Sequence, residues 1–188
     1  MTFETIISIC LGVGLSASVG FRVFLPLFAL SLASYFDVWQ LNESWEWIGS
    51  TAALLTLGAA TIVEVFAYFI PYVDNLLDSI AVPLAALAGT AIMLSTLADL
   101  SPVITWSLAI IAGGGTAAAV AGTSSTTRLA STVTTGGIAN PVVSTIEIGT
   151  SVIMSIISIF LPFLAVILVI IMFFIIFRLY KKFKTSKA

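Results

Sequence analysis

Four charged side chains sit deep in apolar sequence: Arg22, Glu64, Arg128 and Glu147. A guanidinium is a rigid fork that grips a planar anion through two parallel N–H···O bonds. A carboxylate in hydrocarbon relays a proton or counters a cation. Each such charge costs about 2.5–3.5 kcal/mol on insertion scales. Four left unpaired would cost on the order of 10 kcal/mol, comparable with the roughly 5–15 kcal/mol that holds a whole domain together. They must therefore pair, meet water, or do both. The available pairs are Arg22 with Glu64 or Glu147, and Arg128 with the other acid. Either the pairs are structural salt bridges that fix helix register, or they line a polar cavity.

The segments around the two arginines resemble each other. Ser16–Arg22 (SASVGFR) can be laid on Gly122–Arg128 (GTSSTTR), with Ser18 on Ser124. Pro71–Leu76 (PYVDNL) can be laid on Pro141–Ile146 (PVVSTI). Transporters are often built from two such halves whose broken helices meet at mid-membrane. On this reading Arg22 and Arg128, with Ser18, Ser124, Asn140 and Ser144, bind a substrate or gate its passage. Glu64 and Glu147, with Asp74 and Asp78, carry protons or supply counter-charge. Asp74 and Asp78 stand one helical turn apart if that stretch is helical, and a solvated turn is the plainer expectation there.

Composition narrows the chemistry further. The chain has no His and one Cys, Cys10. No disulfide can form within it, and zinc or copper sites built on His or Cys are excluded. The usual Ser–His and Cys–His nucleophile pairs go with them. No metal, no cofactor and no enzymatic activity are expected; an Asp74–Asp78 mechanism would lack metal-ligand spacing. The net charge of −2 and the pI near 4.9 argue against a nucleic-acid partner. The 188 residues are 60% hydrophobic and 9% charged, with a mean hydropathy of +1.18. A soluble domain carries about 25% charged residues. Most of this surface must face lipid, so one integral membrane domain over 1–188 is expected, with repeat halves at 1–98 and 103–180.

The elements that would position these charges can be traced along the chain. The start, MTFETIISICLGVGLSAS, lacks a basic flank and reads as a retained first span, not a cleaved signal. Residues 5–35 are apolar but broken at Gly20, Arg22 and Pro26. That is either one kinked helix or a re-entrant hairpin with its tip near Gly20–Phe21–Arg22, followed by a span. Ser8, Gly12, Ser16 and Gly20 recur every fourth residue, a small-residue face for close helix approach. Residues 37–47 form a polar loop whose Trp39, Trp45 and Trp47 suit an interfacial belt. Spans follow at 48–70, 80–97 and 103–120, the last loosened by Gly113–Gly114–Gly115. Residues 71–78 read as a connection and 99–102 as a turn.

The Ser/Thr/Gly-rich stretch 122–141 reads either as non-helical backbone lining a cavity or as a solvated loop. Residues 142–180 are two short spans or one kinked helix, interrupted at Pro162. Asn140, Ser144, Glu147, Ser151, Ser155 and Ser158 fall on one helical face, which must turn inward. The basic tail 181–188 places the C-terminus in the cytoplasm by the positive-inside rule. The fold class expected is thus all-α: a polytopic transmembrane bundle of five or six spans, some broken or re-entrant, with an internal (inverted) repeat. A protein of about 20 kDa is small for a complete pathway, so a homodimer in the cytoplasmic (inner) membrane is expected.

Three blocks carry a resemblance: LGVGLSASVGFRVFLPLFALSLAS, VEVFAYFIPYVDNLLDSIAVPLAALAGT and the Asn140–Glu147 run (NPVVSTIE). Together they resemble domain-of-unknown-function family 4126, small bacterial membrane proteins. The resemblance spans nearly the whole chain. It implies an integral membrane protein of several helices and confers no activity. The Gly122–Thr135 stretch departs from the family pattern in being richer in Thr and Ser around Arg128. In architecture alone, DedA-like membrane proteins with Arg-bearing re-entrant loops are a looser parallel. The expected function is a small permease for an anionic or proton-coupled solute. The alternative is an assembly, lipid-organising or scramblase-like protein whose charges are structural.

Overall fold

The computed structural model describes residues 2–98 and 100–185. Among these there is no strand; the chain is a helix bundle. Its first helices, α1 (Phe3–Val19) and α2 (Phe24–Tyr35), are joined through Gly20–Val23. A 3-10 helix (Glu43–Gly49) then leads into α3 (Thr51–Ala67) across a 63° bend. α4 (Pro71–Thr96) follows. Next, α5 (Pro102–Leu108), a π-helical segment (Ala109–Gly114) and α6 (Gly115–Thr135) run on as one span, Pro102–Thr135. α7 (Asn140–Phe160) and α8 (Pro162–Thr185) complete the chain.

Among the described residues three helices are long and apolar enough to cross a membrane, or four if the bent pair counts as one span. Large apolar side chains such as Leu55, Phe66, Ile111, Ile156 and Phe174 are exposed along the bundle, as lipid contact requires. These are the marks of a multi-pass membrane protein. The expected five or six spans are not reached on this measure. α1, α2 and the apolar part of α8, Pro162–Arg178, are each of 10–17 residues. A span takes about 20.

Small residues set the packing. The predicted Ser8–Gly12–Ser16–Gly20 face is the face that α1 lays on its neighbours. Ser8 Oγ accepts from the Ala98 N–H at 3.3 Å, and Ser16 Oγ donates to the Gly89 carbonyl at 3.1 Å. Gly12 sits under Met93 and Thr96, and Gly20 under Val120. α1 therefore runs antiparallel to α4. The closest crossing joins Gly89 of α4 to Gly113 of the π segment: a Cβ on Gly89 would stand 2.7 Å from the Gly113 carbonyl oxygen and 2.6 Å from Ala117 Cβ. The glycine run expected to loosen this span does so as a π-helical turn, a wider coil that appears where the regular ladder is disturbed.

The other inward face is α7. All six polar residues predicted on it are buried. Ser18 of α1 meets it directly: Ser18 Oγ donates to the Ser151 carbonyl, and Ser151 Oγ donates to that of Ser18, both at 3.1 Å. α8 then folds back along α7 after Leu161. Met154 shares a cluster with Val169, and Ile146 and Glu147 share a groove with Met172 and Ile176. Of the two forms expected for 142–180, the hairpin is the one formed.

Two expectations need correction. Residues 122–135 are helical, neither irregular nor looped. Their hydroxyls explain how: those of Thr123, Thr126, Thr127, Thr134 and Thr135 donate to the carbonyl four residues back, so the polar side chains are satisfied inside the helix. Only Gly136–Ala139 turns, with Gly136 and Gly137 at φ +65° and +86°, backbone that a side chain would strain. Residues 71–78 are the first turns of α4, because Pro71 at its first position has no N–H to lose. The expected repeat is not confirmed. α6 runs straight through Arg128 where α1 breaks before Arg22, and the two helices run the same way through the bundle. Finally, of the expected turn 99–102, Asp99 lies outside the described residues, as do 186–188 of the basic tail.

Gly89→Val should lower the thermal midpoint of the detergent-purified protein, by overpacking of about 1–3 kcal/mol. Gly122→Ala, where an added Cβ meets nothing within 4 Å, should leave it unchanged or raise it. Equal midpoints for Gly89→Val and wild type would overturn this account of the crossing.

Candidate functional site

The charged residues gather where α1, α4, α6 and α7 meet. Each arrives by its helix register. Arg22 follows the end of α1; Asp74 and Asp78 lie one turn apart on the first turns of α4. Arg128 is on α6, seven residues before its end; Glu147 is on α7, seven residues after its start. At 1.5 Å per residue, Arg128 and Glu147 lie about 10 Å inside the helix ends.

Glu147 is the hub. Its Oε2 lies 2.9 Å from Arg22 Nη1 and also takes Arg128 Nη2. Arg128 Nε donates to Glu147 Oε1 at 3.2 Å and to Oε2 at 3.0 Å. Ser124 Oγ donates to the same carboxylate. Arg128 Nη1 pairs with Asp74, and Nη2 also donates to Ser144 Oγ at 3.0 Å. Asp78 stands farther off, with Oδ1 3.8 Å from Arg128 Nε. Arg22 adds bonds to the carbonyls of Phe21, at 2.8 Å, and Ser144, at 3.3 Å. Its Nε has no partner. Asn140 Nδ2 donates to Asp74 Oδ2 and to Thr132 Oγ1, each at 3.0 Å.

One predicted pair, Arg22 with Glu147, is formed, but Glu64 is not the partner of Arg128. Both arginines share Glu147, and Arg128 takes Asp74 as well. Asp74 is not in a solvated turn; it is only 1% exposed. Glu64 pairs with neither arginine. Its two oxygens accept the Val23 and Phe24 N–H groups at 2.7 and 2.9 Å. The reason is local. Val23 stands at the cap position before α2 and its side chain cannot cap the helix, so the orphan donors need an acceptor from elsewhere. A carboxylate on α3 supplies it and meets the positive end of the α2 dipole. Of the predicted site residues, Arg22, Asp74, Asp78, Ser124, Arg128, Asn140, Ser144 and Glu147 are brought together. Ser18 is bound instead to Ser151 and Ser155, in the α1–α7 seam.

Tyr68 also belongs to the cluster and is not among the predicted site residues. The two guanidinium carbons lie 3.9 Å (Arg22) and 4.4 Å (Arg128) from its ring centroid. A desolvated cation over such a ring gains about 2 kcal/mol. The signal available was an aromatic residue four positions after an intramembrane acid.

Three carboxylates, those of Asp74, Asp78 and Glu147, thus face two guanidiniums, those of Arg22 and Arg128. The cluster holds one acid more than it can neutralise, which one proton or one cation would balance. Among the described residues no group of three or more acids, His or Cys could hold a metal. Glu147→Ala should cost about 3–5 kcal/mol, because it strands two buried cations. Glu64→Ala should cost about 0.5–2 kcal/mol, the range for a lost helix cap. Denaturation of the two purified variants checks the order; a larger loss for Glu64→Ala would refute the hub assignment.

Comparison with known proteins leads to one family. No curated protein and no solved structure matches the chain at a significant level. A family model described as a domain of unknown function, DUF4126, matches residues 9–182, which takes in every residue of the cluster. The chain belongs to the DUF4126 family.

Proposed function

We propose that the protein is a small proton-coupled permease whose pathway passes the Arg22–Glu147–Arg128–Asp74–Asp78 cluster. The observation that carries the reading is the surplus carboxylate in a buried network. A charge that its neighbours cannot neutralise in hydrocarbon is an invitation to a proton. Asp78 is the acid best suited to exchange one. It is the most loosely held, and its side chain is 19% exposed against 2% for Asp74 and 6% for Glu147. Arg128 stands between Asp74, Asp78 and Glu147, so protonating any of them redistributes its bonds. The geometry turns the reading away from an anionic solute, because Arg128 is spent on Glu147 and Asp74, and Arg22 on Glu147 and two backbone carbonyls, with only its Nε unpartnered.

The α1–α2 hairpin fits this role. Glu4 and Ser8 at its start line the same groove as Val38–Glu43 beyond its end, so both arms open at one end of the bundle. Its tip, Gly20–Val23, stops at the cluster, held by Glu64. We read it as a re-entrant segment that closes the pathway from that side. Lys181 and Lys182, in the last turns of α8, lie at the opposite end, and by the positive-inside rule this reading sets the cluster in the cytoplasmic half of the inner membrane.

A second reading has its own support: nearly every polar atom of the two arginines is satisfied by protein, as a purely structural network requires. The two readings part in proteoliposomes that carry a trapped pH-sensitive dye. An imposed pH gradient should decay faster with wild type than in empty vesicles. Asp78→Asn should slow that decay at least tenfold while its thermal midpoint stays within a few degrees of wild type. Decay no faster than in empty vesicles, or unchanged by Asp78→Asn, would leave the structural reading in place.

A further inference from the structure

Beside the charged cluster, at the end of the bundle where α4 and α7 begin and α6 ends, lies a cavity of about 250 Å³. Its wall includes Tyr68, Phe69, Asp74, Thr132, Ile138 and Asn140. Helix N-termini by themselves would favour an anion there. The first donors of α7 are already used: Asn140 N–H bonds the Gly137 carbonyl, and Val142 and Val143 N–H both bond that of Ala139. Pro141 has no N–H, and Pro71 at the start of α4 has none either. The C-terminal end of α6 meets the same cavity, with its negative dipole pole.

The charged group in the wall is an acceptor, Asp74, and beside it stands the acceptor Oδ1 of Asn140; Tyr68, Asn75 and Thr132 can donate as well as accept. Asp74 carries the charge that Arg128 shares with Glu147. Asn140 is only 7% exposed, and its Oδ1 has no partner. The amide cannot turn to hide that oxygen, because its Nδ2 is held by Asp74 and Thr132. An unpaired buried acceptor costs about 1–3 kcal/mol. It sits beside aromatic and apolar walls and a cluster with one acid too many. A bare metal ion would want several hard oxygen ligands. A group with N–H donors, one positive charge and a short apolar body matches every part of the wall.

We infer that this cavity binds a primary ammonium group, the substrate-side site of the proposed permease. The inference rests on that reading for its role in transport, while the binding itself is independent of it. The ammonium would come from a free small amine or from the ethanolamine headgroup of a lipid. Asn140 Oδ1 lies buried beneath the wall, so a small opening of that side chain lets an N–H donor meet it, while the carboxylate of Asp74 balances the charge and the apolar body lies against Phe69 and Ile138.

The test is binding by the intact purified protein. In detergent, propylammonium chloride should raise the thermal midpoint saturably, while propanol and sodium propionate should not. In nanodiscs, replacing phosphatidylglycerol by phosphatidylethanolamine asks whether a headgroup fills the site. Stabilisation by either ammonium source supports the site and names the source. Asn140→Leu should weaken binding at least tenfold. Ile138→Trp, which narrows the cavity from a position 85% exposed, should do the same without loss of folding. Equal stabilisation by propionate, no stabilisation by either ammonium source, or unchanged affinity in both variants would overturn it. Ammonium binding without proton flux would sink the permease and keep the site; flux sensitive to Asp78→Asn without ammonium binding would do the reverse.

Discussion

Everything in this bundle is arranged around one carboxylate. Glu147 takes both arginines, and both arginines reach it only because four helices bring their ends and turns to one place. A buried ion pair repays the loss of water only when its geometry is good and its remaining donors are met. Ser144 Oγ and the carbonyls of Phe21 and Ser144 accept from the arginines, while Ser124 and Asn140 donate to the carboxylates of Glu147 and Asp74. The polar stripe of α7 follows from this demand. So does the position of α1, whose Ser18 is pinned to Ser151, about one turn beyond Glu147 on α7, which leaves Arg22 beside Glu147.

The packing elsewhere serves that meeting point. Close approach at Gly89 and Gly113 draws α4 against the π segment, which sets the depth at which Asp74 faces Arg128. The π-helical turn shifts the register of the rest of the span, so α6 arrives with Arg128 inward and Leu129 outward, the latter 70% exposed. The hairpin tip at Gly20–Val23 is fixed from the other side by Glu64. That acid stabilises a helix start and leaves the arginines to Glu147 and Asp74. One pair of like charges is therefore handled in two ways: Glu64 by backbone donors, Glu147 by side-chain cations.

The balance left over gives the site its chemical character. With Glu64 withdrawn to its cap, the cluster has three acids for two bases, a state that favours uptake of a proton or a cation over capture of an anion. The neighbouring cavity has the same sign in its wall. Function and stability draw on one network here. A change to Arg128 or Glu147 would disturb both, whereas Asp78 and Ile138 lie at its margin, where chemistry can be altered with the fold intact.

The sequence by itself determined that this chain lives in lipid, that its few internal charges must meet, and that the stripe from Asn140 to Ser158 and the small-residue face of α1 turn inward. These follow from local rules: apolar composition, helical periodicity, and the cost of an unpaired charge in hydrocarbon. Only the tertiary structure decided which charge meets which. Pairing depends on helix direction and depth, and neither is written in any one segment; hence Glu64 became a cap and Asp74 became a partner. It also decided that Gly122–Thr135 is helix, because threonine hydroxyls can bond back to the turn before them once lipid removes the competing water. Composition alone pointed to a loop there, since the rule that Ser, Thr and Gly favour irregular backbone holds where water is at hand to satisfy it.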